Sequence, residues 1–441
     1  MKKNVKVNLP KGYSYFESIF RSFKFLTNPI GFISLSMEKF SDTYSVKLFN
    51  RKTLILTQDS DFIEHVLRKN HTNYEKSEIS SVRAAEFFGK GLLFSNGSEH
   101  LRQRRLIQPG FQKKKFDELF GIIKKSINDF LTNFPTGEKV DVCPLMYQLT
   151  FDVVINSLFN VDISKNEITT VREAFDEIQQ FLFRENNNPF QKLFYLINSK
   201  EKKAIENAKA IRDVISNIIE ERMADNKEHS DLLDMLINSR YEDTGEAMLK
   251  DQIIDEAIIL ILAGHETTAS TLSWMLYLLS ENPKEIEELL MRIESKDIDS
   301  IIRDDYFSAV INESMRLYPP AWITERVALN QDQLKEFSFS SGTIIIPFFY
   351  GLHRNEKYWK NPLKFSPKRF LEKDSKKIKA FFPFGSGPRM CIGNNFAIAE
   401  ISFFLYEFLK KYKIEHINYT PKAKTLLTLK PSHVFLKIKN R

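Results

Sequence analysis

The sequence is poor in cysteine, glycine and proline, and it has no long apolar run. Its two cysteines, Cys143 and Cys391, lie far apart in 441 residues. They indicate no disulfide framework or zinc site, and they predict a protein of the reducing cytoplasm. The longest apolar stretch, residues 257–263, is far too short to cross a bilayer. Polar residues interrupt 16–35, so we expect neither a signal peptide nor a membrane anchor.

Neither sign of charge is in large excess. Lysine and arginine number 64 against 57 acidic residues, which gives 64 − 57 = +7, and the charges are interspersed. A nucleic-acid-binding protein would carry a clear basic stripe, so the balance favours a local basic patch for an acidic partner. With 42% hydrophobic and 27% charged residues, the chain can bury a large core.

The hydrophobic pattern is mostly helical, with strand-like runs near both ends. Apolar residues recur every three or four positions through most of 99–293. Two further predicted helices cover 306–317, which stops at Pro319-Pro320, and 394–410. The predicted strands are residues 44–48, 53–57, 343–346 and 434–438, the first two forming a hairpin. We therefore predict one mainly α domain with small β-sheets over 1–441, in which a β-rich part at about 1–75 is not a separate domain.

Residues 381–394 place Cys391 in a glycine-rich loop that opens a helix. Glycines let a backbone approach a flat ligand closely, and amides near a helix start can stabilise a thiolate. A buried, inert cysteine beside a tight turn is the alternative. However, Phe384, Gly387, Arg389, Cys391 and Gly393 match the pattern Phe-x-x-Gly-x-Arg-x-Cys-x-Gly at every defined position. The segment resembles the cysteine loop of the cytochrome P450 family.

This resemblance implies the cytochrome P450 fold, with haem b held between a long oxygen-side helix and the cysteine-loop helix. Cys391 would be the axial thiolate of the haem iron in a soluble bacterial monooxygenase. Arg389 would offer a cation to a haem carboxylate, and Phe384 would cover the sulfur side of the ring, with Gly393 in the same loop. A thiolate ligand favours O–O cleavage, which agrees with O2 as co-substrate.

An acid and an alcohol stand side by side in the helical stretch 258–271. Glu266-Thr267 can hold water and relay protons, which the splitting of dioxygen requires. Gly264 and Thr267 are poor helix formers, so we expect a widened turn there. A zinc-protease motif is excluded because Ala269 stands where its second histidine is needed. Ordinary solvated helix residues remain the alternative, although the apolar flanks predict a partly buried acid.

The same stretch resembles the Ala-Gly-x-Glu-Thr-Thr signature of the family. The resemblance implies that Thr267 is the oxygen-binding alcohol and Glu266 its proton-relay partner. Ala263 and Gly264 would be the small residues beside the iron.

Glu313 and Arg316 lie three residues apart on one helix face. An ordinary surface ion pair is one interpretation. The spacing is similar to the family's Glu-x-x-Arg pair, which implies a structural lock onto Arg369 in the later segment 365–370. Such an arginine network would support the cysteine loop without taking part in catalysis.

Haem carboxylates need cations or hydrogen-bond donors. His100 and Arg104 lie at i and i+4 of a helix beginning near Ser98. The family often has tryptophan at the first of these positions, and histidine also donates to a carboxylate. An exposed helix histidine is the alternative for His100. Arg326 resembles a third carboxylate contact.

No flavin or iron–sulfur region is recognisable, so we expect electrons from a ferredoxin or flavodoxin with its NAD(P)H reductase. We expect a monomer with no nucleic-acid partner. Clustered cations are the expected docking charges, namely Arg102, Arg105, Lys113, Lys114, Lys115, Lys376, Lys377 and Lys379.

The resemblance places the substrate pocket in segments 77–91, 175–190, 259–267 and 321–324. The second segment is polar, which favours an oxygenated substrate, or else forms an exposed loop. We therefore expect hydroxylation or oxidative O-demethylation of a small molecule such as a methyl ether or methylated sugar. Fatty-acid or terpenoid hydroxylation is the family default. A peroxide-using haem-thiolate enzyme and a haem sensor are alternatives, but the acid–alcohol pair argues against both.

Overall fold

The computed structural model describes residues 7–48, 52–111, 113–160, 165–187, 200–225, 229, 231–372, 379–425 and 427–441. The chain forms two compact units, each made of three separate stretches of sequence. The smaller unit contains residues 1–83, 316–364 and 376–391, and the larger contains 84–315, 365–375 and 392–441. The single domain expected from the sequence stays a prediction.

Sixteen helices are numbered here within the described residues. They are α1 (Tyr15–Thr27), α2 (Pro29–Phe40), α3 (Ser60–Glu64), α4 (Glu78–Phe88), α5 (Gly97–Ile107), α6 (Lys113–Thr132), α7 (Val142–Phe159), α8 (Lys165–Asn187), α9 (Lys200–Ala224), α10 (Leu232–Asn238), α11 (Lys250–Glu281), α12 (Pro283–Ser295), α13 (Ile298–Ile301), α14 (Asp305–Leu317), α15 (Phe349–Leu352) and α16 (Asn394–Lys411). The predicted helices at 306–317 and 394–410 are confirmed as α14 and α16.

The described strands, also in chain order, form short sheets. They are β1 (Gly12–Tyr13), β2 (Thr43–Lys47), β3 (Thr53–Thr57), β4 (Tyr74–Glu75), β5 (Gly137–Asp141), β6 (Arg326–Ala328), β7 (Asp332–Leu334), β8 (Phe337–Phe339), β9 (Ile344–Pro347), β10 (Tyr412–His416), β11 (Ala423–Thr425), β12 (Leu429–Pro431) and β13 (Phe435–Asn440).

The smaller unit is built on a six-stranded sheet in the order β1-β2-β3-β9-β6-β4. Strands β2 and β3 form the predicted hairpin, with Ser45 opposite Ile55. Strand β9 runs parallel to β3 and aligns Ile345 with Ile55, both fully buried. The β-branched run that predicted a strand at 343–346 therefore lies in the core of this sheet, as β-branched side chains prefer.

In the larger unit, α11 is the longest helix, with 32 residues, and it packs against α7. Most of its side chains are buried on all sides, which is typical of a helix in the interior of a large core. Helix α7 is the one described helix long and apolar enough to span a membrane, and 67% of that stretch is buried inside the protein. Its burial is that of a core helix.

A three-stranded sheet in the order β10-β13-β5 was only partly predicted. Strand β13 confirms the prediction at 434–438, whereas β5 interrupts a region expected to be helical. Residues 137–141 have no alternating apolar pattern, and they become a strand by pairing with β13, as Val140 does with Leu436. A hydrogen-bonded partner almost 300 residues away leaves no local signal.

Candidate active site

Gly264 of α11 faces helix α7. A Cβ atom added there would lie 2.8 Å from Val154 Cγ2, so glycine allows the two helices to approach closely. The preceding residue, Ala263, is exposed. Helix α11 stays α-helical through this point, so the expected widened turn is wrong. Close packing explains the glycine without any break in the helix.

Thr267 lies one turn after Ala263 and is half-buried. Its Oγ1 donates to the Ala263 carbonyl oxygen at 2.9 Å. Such a bond to residue i−4 is the usual way that a threonine satisfies its hydroxyl within a helix. The bond fixes the side chain and leaves the lone pairs of Oγ1 able to accept a hydrogen bond.

Glu266 points into the larger unit, where only 1% of its surface is exposed. With its nitrogen turned toward Glu266, the orientation that satisfies both groups, the Gln179 side-chain amide from α8 donates to both carboxylate oxygens at 3.1 and 2.9 Å. Lys430 Nζ, from β12, lies 3.6 Å from Glu266 Oε1. The prediction of a partly buried acid is confirmed, and the alternative of a solvated helix residue is wrong. The sequence reasoning missed both partners.

Several groups around Glu266 interact with the same cation, Lys430. Its Nζ lies 5.0 Å from the centroid of the Tyr147 ring. Burial, and then the charge of Glu266, raises the pKa of Tyr147 well above its usual value. Burial also raises the pKa of Asp176, and Lys430 opposes that rise. A single lysine therefore balances acidic groups from two helices.

His265, beside Glu266, is a core residue. It is buried among the rings of Tyr147, Phe151 and Phe175. Its Nδ1 lies 2.9 Å from the Ile261 carbonyl oxygen. Burial lowers the pKa of His265, which favours the neutral ring. Within the described part of the chain, no group of three or more His, Cys, Asp or Glu side chains is placed to hold a metal ion.

Two acids in the first turns of α11 hold the loop that precedes α5. Glu256 Oε2 accepts from the Leu92 backbone N–H at 2.8 Å, and Asp255 Oδ2 accepts from the Lys90 N–H at 2.8 Å. Asp255 also pairs with Arg212. Glu256 is fully buried, and burial raises its pKa to about 8. This loop begins in the predicted pocket segment 77–91. The two acids of α11 therefore fix the position of the C-terminal end of that segment.

One contact of the predicted lock, between Glu313 and Arg369, is present in the larger unit as a buried ion pair. Arg369 Nε donates to Glu313 Oε1 at 3.0 Å, and the Ser366 backbone N–H donates to the same oxygen at 2.8 Å. Glu313 is fully buried. The alternative of a surface ion pair is wrong for Glu313. Its pairing with Arg316 stays a prediction.

Arg316 organises the smaller unit in a way that the sequence reasoning missed. It is fully buried and donates to the carbonyl oxygens of His353 and Pro362, both at 2.7 Å. His353, also fully buried, accepts from the Phe382 backbone N–H through Nε2 at 3.0 Å. Two buried side chains thus connect the end of α14 to the segment just before Phe384, which fixes the start of the cysteine loop.

The cysteine loop turns sharply before Cys391. Gly385 and Gly387 have φ values of +71° and +72°, a region that favours glycine. A Cβ atom on Gly387 would lie 1.9 Å from the Leu67 carbonyl oxygen, so this position also requires glycine for space. The Cys391 backbone N–H donates to the Phe384 carbonyl oxygen at 2.9 Å. Cys391 is exposed, unlike the buried Cys143, so the alternative of a buried, inert thiol is wrong.

Three cations from separate segments of the smaller unit influence one another. Burial and the charge of Arg389 lower the pKa of Arg326 to about 10. Burial, and then Arg326 and Arg389, lowers the pKa of Lys76 to about 7. Arg326 is buried, whereas Lys76 and Arg389 are half-buried. The sequence reasoning missed Lys76. Mutual repulsion of this kind would be relieved by a bound anion.

His100 and Arg104 both lie on α5 of the larger unit. His100 is buried and Arg104 is half-buried. The alternative of an exposed helix histidine is therefore wrong, and a role toward a haem carboxylate stays a prediction for both residues.

Of the expected docking cations, Arg102 already has acidic and aromatic partners. Its Nε lies 3.2 Å from Asp243, and its guanidinium lies 3.7 Å from the centroid of the Tyr241 ring. Arg105 is exposed. Lys376, Lys377 and the side chains of Lys113, Lys114 and Lys115 lie outside the described residues.

Comparison with known proteins places this chemistry in a family. The family model for cytochrome P450 matches residues 16–438. This chain is a member of the cytochrome P450 family. The structure is similar to the crystal structure of the cytochrome P450DA heme domain, with a TM-score of 0.86 over 99% of this chain and 98% of that one, at 20% identity. The fold expected from the cysteine loop and the α11 signature is therefore confirmed.

The relatives similar in sequence include two that are named as oxygenases. Cyclooctat-9-en-7-ol 5-monooxygenase of Streptomyces melanosporofaciens is 26% identical over 344 residues, which cover 76% of this chain and 75% of the relative. Pentalenene oxygenase of Streptomyces avermitilis is 29% identical over 365 residues, which cover 79% and 80%. Cytochrome P450 3A14 of Cavia porcellus is 30% identical over 380 residues, which cover 80% and 75%. The protein is a P450 monooxygenase that acts on a small molecule with electrons from redox partners.

The residues of the smaller unit fit the haem-thiolate group of the family. Cys391 is accessible, as an iron ligand must be. Lys76, Arg326 and Arg389 repel one another, with Arg326 buried and the other two half-buried, so they favour a bound anion. A haem would supply an iron for Cys391 to bind and two carboxylates for the cations.

Proposed function

We propose that this P450 uses dioxygen to hydroxylate a C–H bond of an apolar, terpenoid-like substrate. The observation that carries the proposal is the acid–alcohol pair on α11, with Glu266 buried beside a cation and Thr267 on a more accessible side. An enzyme that only used peroxide would have no purpose for a proton relay. The relatives named for cyclooctat-9-en-7-ol and pentalenene support the substrate class.

Cys391 would bind the iron of haem b, and its thiolate would give the group its capacity to cleave the O–O bond of dioxygen. Its carboxylates would be bound by Lys76, Arg326 and Arg389, with Phe384 bordering the ring. The motifs shared with the family assign His100 and Arg104 to the carboxylates, and Gly393, Ala263 and Gly264 to the surroundings of the ring.

Thr267 and Glu266 would relay the protons that the splitting of dioxygen requires. Thr267 Oγ1 donates to Ala263, so its lone pairs are free to accept a bond from a proton-carrying group. Glu266 is held by Gln179 and Lys430. Delivery of a proton from Glu266 to Thr267 therefore requires the carboxylate to leave these two partners or to use a bridging water. Lys430 and Gln179 would act as positioning residues, because they hold the Glu266 carboxylate in place before the proton transfer.

Electrons would come from a ferredoxin or flavodoxin with its NAD(P)H reductase, docking on a monomer. Because Arg102 already pairs with Asp243, the exposed Arg105 is the better candidate for this contact.

Oxidative O-demethylation of a methyl ether or methylated sugar is the second candidate. It is supported by the polar stretch that begins at Gln179, and it starts with the same C–H hydroxylation. Gln179 itself binds Glu266, and Gln180 is exposed, which reduces the polar surface left for a substrate. For that reason we place the apolar substrate first.

A labelling experiment tests the proposal. The holoenzyme is supplied with a ferredoxin pair, NAD(P)H and ¹⁸O2, and is offered cyclic terpenes and methylated sugars in parallel. We expect one ¹⁸O atom in a hydroxylated terpene. Formaldehyde release from the sugars alone would instead select the second candidate. Product formed only with added peroxide, and without label from ¹⁸O2, would contradict the dioxygen mechanism.

A further inference from the structure

Helix α1 turns a row of large apolar side chains toward solvent. Phe16, Phe20 and Phe23 are 71%, 83% and 72% exposed, and Ile19 is 47% exposed. Their spacing of three and four residues places all four on one face. A surface helix of a globular protein normally points such a face at the core. Three exposed phenylalanines side by side mark a surface that binds a partner.

The orientation of α1 is fixed by contacts on its other face. The Arg21 guanidinium lies 4.9 Å from the centroid of the Tyr13 ring, and the Phe25 ring packs edge-on against Phe32 of α2 at 6.0 Å. The helix start is fixed by a capping box between Ser14 and Glu17. The exposed phenylalanine face is therefore part of a well-anchored helix.

The sequence that contains α1 is predominantly basic. Residues 1–27 contain six basic residues and one acid, Glu17, which gives 6 − 1 = +5 of the chain's total of +7. Three of the basic residues, Lys11, Arg21 and Lys24, lie in the part of the chain that the structure describes. The partner of this face is accordingly anionic. A second copy of the chain would bring the same positive charge to the contact, which disfavours a dimer through α1.

We propose that α1 binds the surface of an anionic lipid bilayer, with Phe16, Phe20 and Phe23 inserted among the lipids and the basic residues at the headgroups. An amphipathic helix that combines an aromatic face with flanking lysine and arginine is suited to lie in the membrane interface without spanning it. Each nearby basic residue adds attraction to anionic headgroups. The protein would thus be a peripheral membrane monooxygenase, which goes beyond the proposed reaction and does not depend on its substrate.

Vesicle sedimentation of the haem-loaded protein tests this. We expect binding to vesicles of mixed phosphatidylglycerol and phosphatidylcholine, weaker binding at high salt, and little binding to pure phosphatidylcholine. The triple variant F16S/F20S/F23S should bind at least about tenfold more weakly, because it removes the inserted apolar area. The variant K11Q/K24Q should bind about tenfold more weakly, because it removes two headgroup contacts.

Matched variants control for general effects of composition. L249S/L363S removes two equally exposed leucines elsewhere, which are 76% and 74% exposed, and should bind like the wild type. K284Q/K368Q does the same for two exposed lysines. All substituted side chains are on the surface, so folding should persist, and the haem spectrum of each variant verifies it.

A tryptophan placed on the helix gives an independent measurement. F20W should show blue-shifted emission with anionic vesicles and quenching by brominated lipid. Wild-type protein that stays in the supernatant with anionic vesicles would overturn the proposal. So would a triple variant that binds as tightly as the wild type. A concentration-dependent dimer that the triple variant abolishes would assign the face to a second copy instead.

Discussion

Glu256 of α11 should make the protein less stable as the pH rises, and Glu256→Gln should remove that effect. Burial raises the pKa of Glu256 from 4.5 to about 8. Between these values the folded protein keeps a proton that the unfolded chain releases, so the free energy of unfolding falls with rising pH. At 1.36 kcal/mol per pKa unit, the loss reaches about 3 kcal/mol at pH 7 and at most about 5 kcal/mol above pH 8.

Glutamine keeps the shape of the side chain, and its oxygen can still accept from the Leu92 N–H. The free energy of unfolding of the variant should therefore equal that of the wild type near pH 4.5. Toward pH 8 it should exceed the wild-type value by a growing amount. Urea unfolding at a series of pH values measures the difference. Glu281→Gln, an exposed change on the same helix, is the control and should leave the profile unchanged. Parallel pH profiles for Glu256→Gln and the wild type would refute the reasoning about this buried carboxyl.

Three further changes test other parts of the molecule. Thr267→Ala should keep the haem spectrum but form at least about tenfold less product per NAD(P)H, with the lost electrons recovered as hydrogen peroxide; unchanged coupling would contradict the relay. Glu313→Gln leaves Arg369 without its buried partner and should cost about 3–5 kcal/mol in urea unfolding, whereas the exposed Glu294→Gln should cost almost nothing. Lys76, with its pKa lowered to about 7, should take up a proton when haem carboxylates bind near pH 8, and calorimetry in buffers of different ionisation enthalpy should detect a smaller uptake in Lys76→Met.

Local patterns in the sequence were enough to predict the catalytic helix and the cysteine loop. The apolar run before Gly264 and the spacing of Phe384, Gly387 and Cys391 each depend on only a few neighbouring residues. The same holds for the β2–β3 hairpin, where alternation is local. Such features survive into the fold because short-range geometry determines them.

Partners brought together from distant segments could not be predicted. Lys430 reaches Glu266 from a strand 164 positions later, and nothing in its immediate sequence indicates a buried ion pair. His353 and Lys76 likewise gain their roles only when separate loops meet. The prediction of a widened turn at Gly264 was wrong. It interpreted the poor helix propensity of glycine as a sign of a break in the helix, whereas close contact with Val154 explains the glycine.

The central claim is that Cys391 is the thiolate ligand of a bound haem. The most direct test is the absorption spectrum of the reduced, carbon-monoxide-bound protein, recorded for the wild type and for Cys391→His. We predict the strongly red-shifted Soret band of a thiolate-ligated haem for the wild type and its loss in the variant. A wild-type spectrum without haem absorption, or a thiolate band that persists in Cys391→His, would contradict the account.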